Sequence, residues 1–283
     1  MTLPHEHVFC DLTREYRGDG LLNDETLAEA ELRRFVDAGG GTLVDVTSVG
    51  LARDPAALVR MSERTGLHVV MGCGFYRRPY FPAELDELST DAVADLIVRD
   101  IEVGVDGVRA GIIGEVGCDR VLTALEERSF RAAARAHRRT GLTITTHAAR
   151  WPVGTAQLDL LVEEGVDPRR VVIGHCDMVP DHDYHLALAR RGAWVQFDTV
   201  QGGSDYDTGR RLAWLRSLAD EGHLEQVLLS QDVCLRTDYA AFGGPGYAYV
   251  ATTFADLLRA EGFGDADLHT LLVHNPRRML TGE

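Results

Sequence analysis

The chain has 283 residues, 45% of them apolar and 26% charged, with a formal net charge of −15. That is enough apolar material for a large core, and the wrong sign for a nucleic-acid surface, which needs a concentrated basic face. No run of about 18 apolar residues is present, which excludes a membrane-spanning helix.

The first residues, MTLPHEHVFC, show no basic segment leading into an apolar one, so no signal peptide is expected. Five cysteines, widely spaced and without a C-x-x-C pair, fit a reducing compartment, and the expected location is the cytoplasm. All 29 basic residues are arginine. The lack of lysine rules out a Schiff base, a P-loop and a carbamylated-lysine metal bridge.

Along the chain, short apolar runs alternate with helical patterns, as expected of βα units around a parallel sheet buried on both faces. Thr2–His5 reads as the first strand. A helix capped by Asn23 or Asp24 follows, runs to Ala38 and is closed by Gly39, Gly40 and Gly41. Strand Thr42–Val46 leads to a helix from Asp54 to Thr65, then strand His68–Gly72 to a helix from Ser89 to Val103. Strand Gly111–Glu115 precedes the helix Thr123–Thr140, and strand Thr143–His147 the helix Gly154–Glu164. Strands Val171–His175 and Ala193–Asp198 are followed by helices Asp181–Arg191 and Asp205–Glu221. Strand Val227–Asp232 and helices Tyr247–Glu261 and Asp265–Leu280 complete the chain. Eight such units in about 250 residues or more make a (β/α)8 TIM barrel, and with no linker or compositional break the expectation is one α/β domain over 1–283.

In such a barrel the C-terminal ends of the strands converge on one mouth. The residues found there are His5 with His7, Glu115, His147, His175 and Asp232, and they include four of the chain's 11 histidines. A single buried histidine is ordinarily a hydrogen-bonded core residue. Four imidazoles and two carboxylates at one opening call for a cation to offset the buried charge. His5 and His7, two apart on a strand, point to the same side. Six ligands exceed the three protein ligands of a single catalytic zinc, so two divalent transition-metal ions sharing one carboxylate are expected. Zinc is the first choice, and manganese, cobalt or iron also suit this donor set.

TLPHEH, IIGEVG, TITTH, VVIGHCD, LLSQD, GGPGY and HNPRRML, in this order over nearly the whole chain, resemble the phosphotriesterase family of the amidohydrolase superfamily. The resemblance implies that His5, His7 and Asp232 bind the buried ion, and His147 and His175 the outer one. The best-known members bridge the ions with a carbamylated lysine. Here Glu115 stands at that place, as in the branch of homologues that uses an unmodified carboxylate. Family members usually carry a segment before the H-x-H strand. Here that strand begins almost at Met1, so strand 1 is expected to be less well anchored, unless the true start lies upstream.

The two ions would make a bridging water a hydroxide nucleophile near neutral pH, with Asp232 as the catalytic group that carries its proton. Asp177 and Asp198 either extend the proton path or bond loop amides. In GCGFY, Tyr76 matches a tyrosine of the lactonase branch that faces the metals and would donate to a substrate oxygen; a packing aromatic is the alternative. Arg77, Arg78 and Arg236 lie in mouth-side loops where a guanidinium could grip a substrate carboxylate or phosphate, although each alone reads as a solvated charge. Thr199 stands where the phosphotriesterases have a histidine, which argues against efficient organophosphate hydrolysis.

The expected reaction is hydrolysis of a lactone or carboxylic ester, with an N-acyl amidase or a phosphotriesterase as alternatives and a metal-stabilised binding protein as the non-enzymatic one. The expected partner is a small-molecule substrate, with a homodimer left open. Cys10, Cys73, Cys118, Cys176 and Cys234 read as packing residues, and Asp181, His182, Asp183 and His185 as a helix start.

Overall fold

The computed structural model describes residues 1–283. Its eight parallel strands are β1 (Thr2–Glu6), β2 (Thr42–Asp45), β3 (His68–Cys73), β4 (Ile112–Gly117), β5 (Ile144–His147), β6 (Val171–Ile173), β7 (Trp194–Phe197) and β8 (Val227–Leu229). They follow one another around the sheet in chain order. No helix is long and apolar enough to cross a membrane.

The helices form where local chemistry favours them. Asp24, Asp54, Ser89, Thr123, Asp181 and Ser204 cap their helices through side-chain oxygens, and Thr123 with Glu126 forms a reciprocal capping box. Gly66 and Gly141 close two of them in the left-handed conformation. The helix expected from Tyr247 begins three residues later, at Val250, and its first turn is a π-helix. The closing helix is interrupted the same way over Thr270–His274.

Two apolar layers hold the barrel. Most of the core lies between the sheet and the helices that surround it. Inside, Val44, Ile112, Val172 and Leu228, one from each even-numbered strand, form a layer floored by Met279 of the last helix. The HNPRRML motif explains that floor. Asn275 donates to the carbonyls of Leu224 and Val227 at 2.8 Å, which ties the last helix to the start of β8.

β1, expected to be weakly anchored, is held on both sides. It pairs with β2 on one side. On the other, no strand pairing joins it to β8, and the fully buried Glu6 side chain spans the gap instead. Its carboxylate accepts from Ser230 Oγ at 2.7 Å and from the Gln231 and Val233 amides at 2.8 Å. Ser230 Oγ also accepts from the His5 amide at 3.2 Å.

Glu6→Ala strands three buried donors and is expected to cost about 3 kcal/mol, or roughly 5–10 °C in melting temperature. Calorimetry on metal-free protein, where loss of a bound ion cannot contribute, checks this. A shift under about a degree would show that closure rests elsewhere.

Candidate metal centre

Two strands end two or three residues before their expected ends, and this shapes the mouth. β6 stops at Ile173 and β8 at Leu229. His175 and Asp232 follow in the left-handed conformation, each with φ 54°. Non-glycine residues occupy that region rarely and at a cost of about 1 kcal/mol or more. Here the turn breaks the ladder and swings both side chains across the barrel. Glu115 instead sits within β4, after Gly114 at φ 131°, where a Cβ would lie 2.2 Å from the Thr145 carbonyl oxygen. Only glycine allows that approach.

The six expected ligands come together. His5 Nε2 lies 3.5 Å from Glu115 Oε2 and 3.6 Å from Asp232 Oδ1. His7 Nε2 lies 3.6 Å from Glu115 Oε1 and 3.3 Å from Asp232 Oδ1. On the outer side, Glu115 Oε2 is 3.3 Å from His147 Nδ1 and 3.5 Å from His175 Nε2. Ligands at 2.0–2.1 Å in a tetrahedral zinc site stand about 3.4 Å apart. These separations are at or beyond the long end of hydrogen-bond range and match the spacing of ligands that share a metal ion, and His5 Nε2 is buried without any hydrogen-bond partner. Two groups meet the spacing for one ion each: His5, His7 and Asp232, and His5, Glu115 and His175. The donor set, imidazole nitrogens and carboxylate oxygens, fits divalent transition-metal ions.

The field of the site favours positive charge: against the effect of burial, Asp232 and Glu115 raise His7 to about 9, and Asp198 raises His175 well above the usual imidazole value, so a bound cation would have to displace protons from these rings. Although burial works against it, contacts with His147, His175 and His5 hold the Glu115 carboxyl well below its usual range. Burial and the adjacent His175 pull His147 down to about 4, which leaves its lone pair free at neutral pH. His175 Nε2 faces His147 Nδ1 at 2.7 Å, so a proton and a metal ion compete for the same nitrogens.

A ring of partners fixes the imidazoles. Thr47 Oγ1 lies 2.8 Å from His7 Nδ1, and with that nitrogen donating to it, His7 Nε2 is left as the ligand atom. Asp198 serves two histidines: Oδ1 takes His175 Nδ1 at 2.7 Å and Oδ2 lies 3.3 Å from His5 Nδ1. Of the two readings of Asp198 and Asp177, Asp177 takes the structural one. It is buried, pairs with Arg211 at 2.8 Å, and accepts from the Thr199 hydroxyl at 2.6 Å and from the Asp198 amide.

The cluster opens into a cavity of about 440 Å³ lined by His7, Tyr76, Glu115, His147, His175 and Asp232, among others. Tyr76 is buried with its hydroxyl 3.4 Å from His147 Nε2. The arginines fare differently. Arg77 reaches the cavity wall, but its guanidinium is held by Glu15 and Asp119, each at 2.5 Å, and lies over the Tyr76 ring. Arg78 is turned outward to Asp86, and Arg236 is exposed beside Phe242; neither lines the cavity. Arg150, Trp151 and Gln201 line it and carry no motif that spacing would expose. Cys234 also lines it, while the other four cysteines are buried. Asp181 caps the helix His182–Arg190, as expected.

Asp198→Ala is expected to weaken metal binding about 10–100-fold, since it removes the partner that orients two ligands. Competition against a chromophoric chelator measures it, and unchanged affinity would remove Asp198 from the site.

A family model described as the phosphotriesterase family matches residues 1–280. The crystal structure of the Escherichia coli phosphotriesterase homology protein, with phosphate in its active site, superposes with a TM-score of 0.95 at 37% identity, covering 99% of this chain and 98% of that one. A lactonase from Listeria monocytogenes superposes with a TM-score of 0.90 at 29% identity, covering 100% and 94%. An N-acetyltaurine hydrolase of Dictyostelium discoideum is 32% identical over 275 residues, 92% of this chain and 74% of its own length.

Proposed function

The chain belongs to the phosphotriesterase family, and we propose that it is a dinuclear metal-dependent hydrolase acting on a lactone or carboxylic ester. The observation that carries this reading is the meeting of His5, His7, Glu115, His175 and Asp232 at coordination spacing, with His147 beside them, at the floor of one cavity. Two divalent cations, zinc by preference, would be held by His5, His7, Glu115, His147, His175 and Asp232, and would supply an activated water as nucleophile and Lewis-acid polarisation of the scissile oxygen.

The chain's own residues supply the rest. Asp232 is the proton carrier: Oδ1 faces His5 and His7, and the side chain, 15% exposed, opens to the cavity. It takes the nucleophile's proton and returns it to the leaving group. Burial and the nearby Glu115 push the Tyr76 hydroxyl well above its usual pKa, so it stays protonated and donates to the substrate's ring or leaving oxygen. Thr199, locked with Asp177 and Arg211, has no free proton to relay. That supports acyl over phosphoryl transfer.

A second reading, hydrolysis of an N-acyl amide, is supported by the likeness to N-acetyltaurine hydrolases. A panel of lactones, esters and N-acyl amides offered to the metal-loaded enzyme separates the two. No turnover of any member, with metal bound, would favour a binding protein.

Asp232→Asn keeps size and an oxygen ligand but loses the proton site, so kcat is expected to fall ~10²–10⁴-fold with metal content reduced only modestly. Thr199→Ala is expected to change kcat little. Near-normal turnover by Asp232→Asn would move the proton to Tyr76 or to the substrate.

Elemental analysis is expected to find close to two ions per chain. Reconstitution of the apoprotein is expected to be equally effective with and without bicarbonate, because Glu115 is an anion already. A strong bicarbonate dependence would overturn the glutamate bridge.

A further inference from the structure

Two cationic side chains line the cavity, and only one is spent. Arg77 is neutralised by Glu15 and Asp119. Arg150 lines the same cavity and has no carboxylate partner and no hydrogen bond of its own. The aromatic face next to it does not occupy it either, because the Trp151 ring is covered by Arg120 at 4.6 Å.

The placement of Arg150 is defined by its surroundings. It lies three residues after His147 with φ 66°, a conformation that non-glycine residues adopt rarely. The turn is held on both sides, by the Trp151 amide on the Ala149 carbonyl at 2.8 Å and the Val153 amide on the Trp151 carbonyl at 2.7 Å. The strand end before it is fixed by Gln157, which donates to the His147 carbonyl at 2.8 Å. Arg150 is thus set on the rim by the same loop that delivers a ligand to the cluster.

We infer that Arg150 is a specificity-determining residue that grips an oxyanionic group, a carboxylate or sulfonate, on the part of the substrate remote from the scissile bond. A planar guanidinium matches both groups with paired N–H donors. A cavity of about 440 Å³ holds only a small molecule, so one such contact weighs heavily in its recognition. This inference rests on the hydrolase reading for its substrate, but not for its binding site.

The test has two arms on the metal-loaded enzyme. In the first, acyl substrates of matched length ending in a carboxylate, a sulfonate or a neutral amide are compared. The ratio of kcat/KM for the anionic over the neutral substrate is expected to fall ~10–100-fold in Arg150→Gln, chiefly through KM. Arg150→Lys is expected to restore part of it, and Arg78→Gln to leave it alone. Whichever of carboxylate and sulfonate loses more identifies the natural group. In the second arm, calorimetry compares an unreactive aminoalkyl sulfonate, its carboxylate analogue and the neutral alcohol. Anion binding is expected to weaken by a similar factor in Arg150→Gln. Failure of every substrate with intact anion binding would sink the hydrolase reading and keep the site. A charge preference indifferent to Arg150 would overturn the inference.

Discussion

The structure turns on burying two carboxylates and four imidazoles in the mouth of an apolar barrel. Ionised groups out of water cost several kcal/mol each unless their charge is offset, and the surroundings of the cluster meet that cost. Glu115, within β4, faces four histidines. Asp198 and Thr47 stand behind His175, His5 and His7. The left-handed turns at His175 and Asp232 follow from the same need, since an extended strand would carry both side chains past the centre of the mouth. Local backbone strain at these two points is the counterpart of convergence.

With the histidine of the phosphotriesterases replaced by Thr199, and Thr199 tied to a buried Asp177–Arg211 pair, the wall after β7 is a structural brace. On the proposed mechanism the proton chemistry would then fall to Asp232, on the neighbouring strand end, and to Tyr76, after β3.

The fold and the cluster were legible because both depend on local pattern. Continuous apolar runs mark doubly buried strands, and a ligand at a strand's end needs only its position to be found. The loops were not legible in this way. Nothing in GFYRRPY distinguishes Arg77, which turns inward onto Glu15 and Asp119, from Arg78, which turns outward to Asp86, because the pairing is made across 62 and 42 residues for the first and 8 for the second. Arg150 was hidden for the related reason that its significance lies in having no partner. Asp198 could be placed at the mouth, but its contact with two histidines from different strands exists only in three dimensions. The ends of β6 and β8 were overrun for a physical reason too: the chain leaves the strand conformation by a left-handed turn at His175 and Asp232, which no residue type before it announces.

The gap between β1 and β8 links the two halves of this account. His5 and His7 stand on one side of it and Asp232 on the other, and these three residues form one of the two groups spaced for a single ion. An ion held by His5, His7 and Asp232 would join the barrel across the one junction that backbone pairing leaves open. Occupancy and folding stability would then be thermodynamically linked, and amide exchange beside β1 and β8 would report on how full the site is.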